Sequence, residues 1–118
     1  MQATWPDLEG IPATQCSTMP DVRREIDRID GALVRLLAQR ITYISRAGEI
    51  KLARNAVRDE ARIQDVLAKV KTACAREGFP FGIAEPVWRQ LMDGCIAHEF
   101  EVFDLVKANA KGATVAMR

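Results

Sequence analysis

Two cationic residues interrupt the apolar face of a helix predicted in the first half of the chain. The apolar residues of this face recur at steps of three and four. They are Val22, Ile26, Ile29, Leu33, Leu36, Leu37, Ile44 and Ala47. At about 100° per residue, Arg40 lies about 20° from Leu33, and Lys51 lies about 20° from Ile44. Because an unpaired buried cation costs many kcal/mol, cations in such a position usually have an anionic partner. The pattern predicts a binding site for an anion.

A single cation on this face would need no ligand. Arginine and lysine can lay their methylene groups along apolar surface and keep the charged head in water. Arg40 and Lys51 are harder to explain in this way, because both lie on one face, about 16 Å apart along the helix axis. Their long side chains can converge from either end, so we expect a small dianion as the ligand.

A carboxylic acid occupies a similar position on a later helix. Glu99 lies about 20° from both Met92 and Val106 around that helix. Burial disfavours the charged carboxylate, so a buried carboxyl tends to keep its proton and can donate a hydrogen bond. The alternative is an ion pair with Arg40 or Lys51. In both cases Glu99 should meet the cations of the first helix.

Other charged residues are weaker candidates. Arg58, Asp59 and Arg62 cluster where the second helix should begin, although exposed charge clusters of this kind are usually solvated surface. Arg23 lies about 25 Å from Arg40 along one helix, so one chain cannot bring both to a small ligand. An antiparallel partner chain could place its own Arg23 at the site.

Two residues near Glu99 could act as a base or a nucleophile. His98 points about 100° away from Glu99, which favours a surface or hydrogen-bonded histidine over a catalytic base. Cys95 shares the face of Glu99, but no nearby base or helix N-terminus would activate its thiol, so we expect it to pack and to line the pocket.

Composition restricts the partners and the location. Lysine and arginine number 17 and aspartate and glutamate 16, a net charge of +1 that does not favour nucleic acid or an anionic membrane as a partner. The three cysteines lack metal-ligand spacing, so no metal is expected. No export signal and no run of about 20 apolar residues is present, which predicts a cytoplasmic protein.

The apolar periodicity predicts an all-α chain of three helices. The first should begin near residues 18–21 and continue to the polar patch 54–56. The second should have Asp59 as its N-cap and end at Gly78. The third should open at Pro86. So long a first helix cannot cover its apolar face within a small chain, so partner helices are needed.

The length of 118 residues predicts one domain. Residues 1–18 lack periodicity and predict an irregular arm, with Trp5 and Leu8 as docking points. Residues 19–108 form the helical domain. Residues 109–118 should be a frayed tail.

Four stretches resemble the all-helical class of chorismate mutases and the related isochorismate-pyruvate lyases. The stretches are 21–30, 36–40, 48–51 and 57–62. The resemblance covers about residues 20 to 107 and is strongest in the first helix. It implies an intertwined homodimer of three-helix chains that has two equivalent active sites and no cofactor.

The resemblance also implies roles for the charged residues. Arg40 and the partner's Arg23 would bind the two carboxylates of the substrate. Lys51 would contact a carboxylate and the ether oxygen. Asp59 and Arg62 would hold the ring side of the substrate.

The position of Glu99 is occupied by glutamine in most family members, where it hydrogen-bonds the ether oxygen. A protonated Glu99 could do the same, so activity should fall as pH rises. Ile63 stands where many mutases have a glutamate that binds the ring hydroxyl, which favours the lyase or another ring substituent. Asp59 after Arg58 matches the mutases.

The resemblance therefore leaves three functions. The first is a chorismate mutase, in which a pericyclic shift gives prephenate while Lys51 and Glu99 stabilise charge on the ether oxygen. The second is an isochorismate-pyruvate lyase that gives salicylate and pyruvate. The third is a helical dimerisation or regulatory module without catalysis. We favour the mutase.

Overall fold

The computed structural model describes residues 10–116, with side chains described to residue 111. Its elements are a 3₁₀ turn at Ala13–Gln15, α1 at Met19–Ile50, a second 3₁₀ turn at Arg54–Ala56, α2 at Glu60–Glu77 and α3 at Phe81–Ala116. Residues 10–116 contain no strand, so the predicted all-α class with three helices is confirmed. Trp5 and Leu8 lie outside the described residues.

The chain divides into two compact units, Met1–Ile41 and Thr42–Arg118, and the division falls inside α1. The first unit carries most of α1. The second unit carries the last turns of α1 together with α2 and α3. The domain limits at residues 19 and 108 stay a prediction.

The start of α1 is fixed by reciprocal hydrogen bonds between its first residues. The backbone N–H of Asp21 donates to Thr18 Oγ1 at 3.3 Å, and the backbone N–H of Thr18 donates to Asp21 Oδ2 at 3.2 Å. This is the arrangement of a capping box. The hydrogen bonds from Thr18 and Ser17 lower the pKa of the Asp21 carboxyl. The predicted start of the first helix is confirmed.

Both predicted ends of α2 are confirmed. The Asp59 side chain accepts the backbone N–H of Arg62 at 3.1 Å, which satisfies one of the unpaired donors of the first turn. Gly78 follows the helix in the left-handed conformation, with φ of 72°, and its N–H donates to the Cys74 carbonyl. The N–H of Phe79 donates to the same carbonyl at 2.9 Å.

The prediction that the third helix opens at Pro86 is wrong. Helix α3 begins at Phe81 and includes Pro86. The Pro80 carbonyl accepts the N–H groups of Ile83 at 3.1 Å and Ala84 at 3.2 Å. Ala84 is only 1% exposed, so these first turns are held by packing that a local sequence signal does not reveal.

The backbone of α3 is helical as far as Ala116. The frayed tail expected over 109–118 stays a prediction. Alanine and lysine, frequent between residues 107 and 116, are strong helix formers, which accounts for the continuation.

The core of the second unit lies between α2 and α3. Its buried residues Ile63, Leu67 and Met92 form one cluster. The partly buried residues packed around it are Val66, Trp88 and Ile96. This packing fixes α2 against the stretch of α3 that precedes Glu99, so the core holds both helices in place beside the candidate site.

The apolar face of α1 within the first unit is largely exposed. Ile26 is 51% exposed and Leu33 is 50% exposed, while Ala32 is buried. Among the described residues, no helix combines the length and the apolar character that crossing a membrane requires.

The substitution Gly78→Ala tests whether the left-handed conformation of Gly78 stabilises the end of α2. We expect Gly78→Ala to lower the free energy of unfolding by about 1 kcal/mol, because an L side chain in the left-handed region clashes with its own backbone. Denaturant unfolding at matched protein concentration measures the effect. As a control, Gly94→Ala should not destabilise the protein, because a Cβ at Gly94 meets nothing within 4 Å. An unchanged midpoint for Gly78→Ala would contradict the assignment of this cap.

Candidate active site

The candidate site is built on an ion pair between the end of α1 and the middle of α3. Lys51 Nζ donates a hydrogen bond to Glu99 Oε2 at 2.5 Å. The Glu99 side chain is 6% exposed and that of Lys51 is 29% exposed. The prediction that Glu99 meets the cations is therefore confirmed for Lys51, which follows directly after α1.

Local backbone structure positions each member of the pair. Lys51 follows directly after α1, and its backbone N–H still donates to the Ala47 carbonyl at 3.0 Å. Glu99 projects from α3 one turn after Cys95, which is also buried. Because α3 continues on both sides of Cys95 and Glu99, the positions of these two residues do not depend on a loop.

A second contact between α1 and α3 lies beside this pair. Ser45 Oγ and His98 Nε2 are 2.8 Å apart, and both side chains are partly buried. His98 thus has a hydrogen-bond partner on α1, as a structural histidine would.

The segment after Lys51 is attached to α3 by an arginine. Arg54 donates to both carboxylate oxygens of Asp104, at 3.0 Å from Nε and 3.3 Å from the terminal nitrogen. Its guanidinium carbon also lies 4.4 Å from the centre of the Phe100 ring. These contacts fix the connection between α1 and α2 one turn beyond Glu99.

The predicted ring-side residues lie at the start of α2. Asp59 is used as the N-cap. The Arg62 guanidinium donates to Asp65 at 2.6 Å and is 61% exposed. Hydrogen bonds from Lys69 and Arg62 lower the pKa of Asp65, which keeps this carboxylate charged. The Arg62 guanidinium is therefore already paired with a carboxylate of its own helix.

The two remaining candidates belong to the first unit. Arg23 is exposed on α1, and Arg40 is partly buried on the same helix. Lys51, Cys95 and Glu99 belong to the second unit.

Sequence reasoning missed the contacts that hold α1 to α3. Gly48, a buried glycine inside α1, carried a usable signal, because a glycine within a strong helical pattern often marks a close packing contact. Arg54 and Asp104 carried no such signal, because no local sequence pattern indicates that two residues 50 positions apart form an ion pair.

The arrangement suits electrostatic stabilisation of an oxygen. The Lys51 ammonium has N–H donors in addition to the one given to Glu99, so it can donate to a ligand while it keeps its partner. Within residues 10–111, no group of three or more His, Cys, Asp or Glu side chains is placed to hold a metal ion.

Comparisons with known proteins identify the family of this chain. The family model for chorismate mutase type II matches residues 22–100, a stretch that includes α2 and both members of the Lys51–Glu99 pair. Isochorismate pyruvate lyase of Pseudomonas aeruginosa is 26% identical to the chain over 86 residues, which cover 73% of this chain and 85% of that protein. Since the family model spans more than half of the sequence, the chain belongs to the chorismate mutase type II family.

Proposed function

We propose that this protein is a chorismate mutase that converts chorismate to prephenate. The observation that carries the proposal is the contact between the partly buried Lys51 and the buried Glu99. In the rearrangement the ether C–O bond breaks as the new C–C bond forms, and negative charge develops on the ether oxygen. Two hydrogen-bonding groups within 2.5 Å of each other can both reach one such oxygen.

Each group has a distinct task in this mechanism. The Lys51 ammonium donates to the ether oxygen and stabilises its developing charge. Glu99 donates a second hydrogen bond when it carries a proton and repels the oxygen when it is ionised. No nucleophile or general base takes part, so catalysis consists of holding the reactive conformer beside these donors.

The substrate carboxylates would be bound by arginines of two chains. Arg40 and the partner's Arg23 suit this task, because guanidinium groups pair with carboxylates through two parallel hydrogen bonds. The exposed apolar face of α1 supports a homodimer, since residues such as Ile26 and Leu33 would then be covered by a second helix.

A lyase activity is the second candidate, and two observations favour it. Ile63 is buried with Leu67 and Met92 and offers no polar atom to the ring hydroxyl of chorismate. The relative of P. aeruginosa bears the name isochorismate pyruvate lyase. Both reactions break the ether bond of a dianionic substrate, so the Lys51–Glu99 pair serves either.

The products decide between the two reactions. The purified protein is incubated with chorismate and separately with isochorismate, and the products are identified under mildly acidic and neutral conditions. We expect prephenate from chorismate, with the larger kcat/KM. A larger kcat/KM for salicylate and pyruvate formation from isochorismate would overturn the mutase in favour of the lyase. Turnover of neither substrate would favour a binding module.

Mixing two inactive variants tests the shared site. Arg23→Ala and Arg40→Ala should each abolish most activity, because each removes a carboxylate ligand. If Arg23 acts in trans, half of the sites in a mixed dimer are intact, so mixing after subunit exchange should restore about a quarter of the wild-type activity. The kcat of the mixture measures this recovery.

The control for this experiment is Arg46→Ala, which removes an exposed arginine of α1 that pairs with Glu49. It should leave kcat unchanged. Native mass spectrometry establishes that dimers form and exchange. Mixed dimers without recovered activity would contradict the supply of Arg23 by the partner.

Glu99→Gln tests the proton on the carboxyl. An amide keeps an N–H donor and cannot ionise, so the variant should show a flatter pH profile of kcat and higher activity at neutral pH than the wild type. Glu101→Gln makes the same change of charge at an exposed position of α3 and should keep the wild-type profile. Lower activity of Glu99→Gln at every pH would contradict the donor role.

A further inference from the structure

Gly48 is the point of closest approach between α1 and the stretch of α3 that carries Glu99. A Cβ built on Gly48 would lie 3.0 Å from the Glu99 carbonyl oxygen, 3.2 Å from Glu99 Cγ and 3.3 Å from Val102 Cβ. The first contact is with helix backbone, which cannot turn away as a flexible side chain can. An added methyl group would therefore have to push the two helices apart by a few tenths of an ångström.

The close approach of α1 to α3 at Gly48 lies between two polar contacts, Ser45 with His98 and Lys51 with Glu99. Ser45, Gly48 and Lys51 follow each other at steps of three and so lie along one side of α1. Ser45 binds His98, and Lys51 binds Glu99. Gly48 touches Glu99 itself, so any change in its size acts on the residue that pairs with Lys51.

The other helical glycines within residues 10–111 do not share this environment. A Cβ at Gly31 or Gly94 would meet nothing within 4 Å. Glycine inside a helix is less favourable than alanine because it loses more backbone freedom. Of these three glycines, only Gly48 has a close contact that accounts for the absence of a side chain.

We propose that Gly48 is a positioning residue that sets the separation between the Lys51 ammonium and the Glu99 carboxyl. The proposal rests on the proposed function, because this pair is the group that would stabilise the ether oxygen. Gly48 itself touches no substrate. It acts by holding the end of α1 close to Glu99, so that the lysine reaches the carboxyl.

The test is Gly48→Ala, with Gly94→Ala as the matched control on α3. Gly48→Ala should lower kcat about tenfold, because misplacing a catalytic group by the order of an ångström costs up to about a hundredfold. KM should change less than kcat, since the two arginines that would bind the carboxylates are untouched. Gly94→Ala should change neither quantity.

A double variant separates positioning from general damage. If Gly48 acts through Lys51, adding Gly48→Ala to Lys51→Met should lower kcat no further than Lys51→Met does alone. A further loss equal to that of the single variant would overturn the proposal. Failure of Gly48→Ala to reach the wild-type helical content would also overturn it, because the glycine would then serve the fold as a whole.

A readout independent of turnover keeps this proposal distinct from the proposed function. In nitrogen-labelled protein, the Lys51 ammonium signal is identified by its loss in Lys51→Met. We expect Gly48→Ala to shift or broaden this signal and Gly94→Ala to leave it in place. An unchanged signal in Gly48→Ala would overturn the positioning role. If the wild type converts neither substrate, the proposed function fails, and the NMR signal still decides the role of Gly48.

Discussion

The ion pair between Lys51 and Glu99 is the interaction on which the rest of the second unit depends. A buried carboxylate without a partner costs several kcal/mol, so Glu99 requires a cation at its position on α3. That cation comes from a residue 48 positions earlier in the chain. The end of α1 must therefore stay close to α3. The contacts of Ser45, Gly48 and Arg54 with α3 all lie near this ion pair.

The sequence predicts those parts of the structure that depend on local interactions. The N-cap at Asp59 and the left-handed end at Gly78 follow from side-chain chemistry within one turn of the chain. The meeting of Glu99 with a cation follows from helical periodicity, because a charge on an apolar face has few other ways to be satisfied.

The features that the sequence does not predict depend on contacts between distant segments. Helix α3 begins before Pro86, and Ala84 in its first turns is buried, an effect that no residue near Pro86 encodes. The Arg54–Asp104 pair and the close approach at Gly48 likewise require the relative position of two helices. Helical periodicity assigns a residue to a face but does not specify which residue of another helix it meets.

The position of Ile63 limits which part of the site can distinguish one substrate from another. Its side chain is 8% exposed and packs in the core, so a ring hydroxyl placed beside it would lose its hydrogen bonds to water. An unsatisfied polar group of this kind costs about 1–3 kcal/mol, or roughly a factor of ten to a hundred in binding. The Lys51–Glu99 pair cannot supply this discrimination, because the mutase and the lyase break the same ether bond. Under the proposed function, Asp59 and Arg62 at the start of α2 are the polar groups proposed to face the ring, so the selection between chorismate and isochorismate would fall to them.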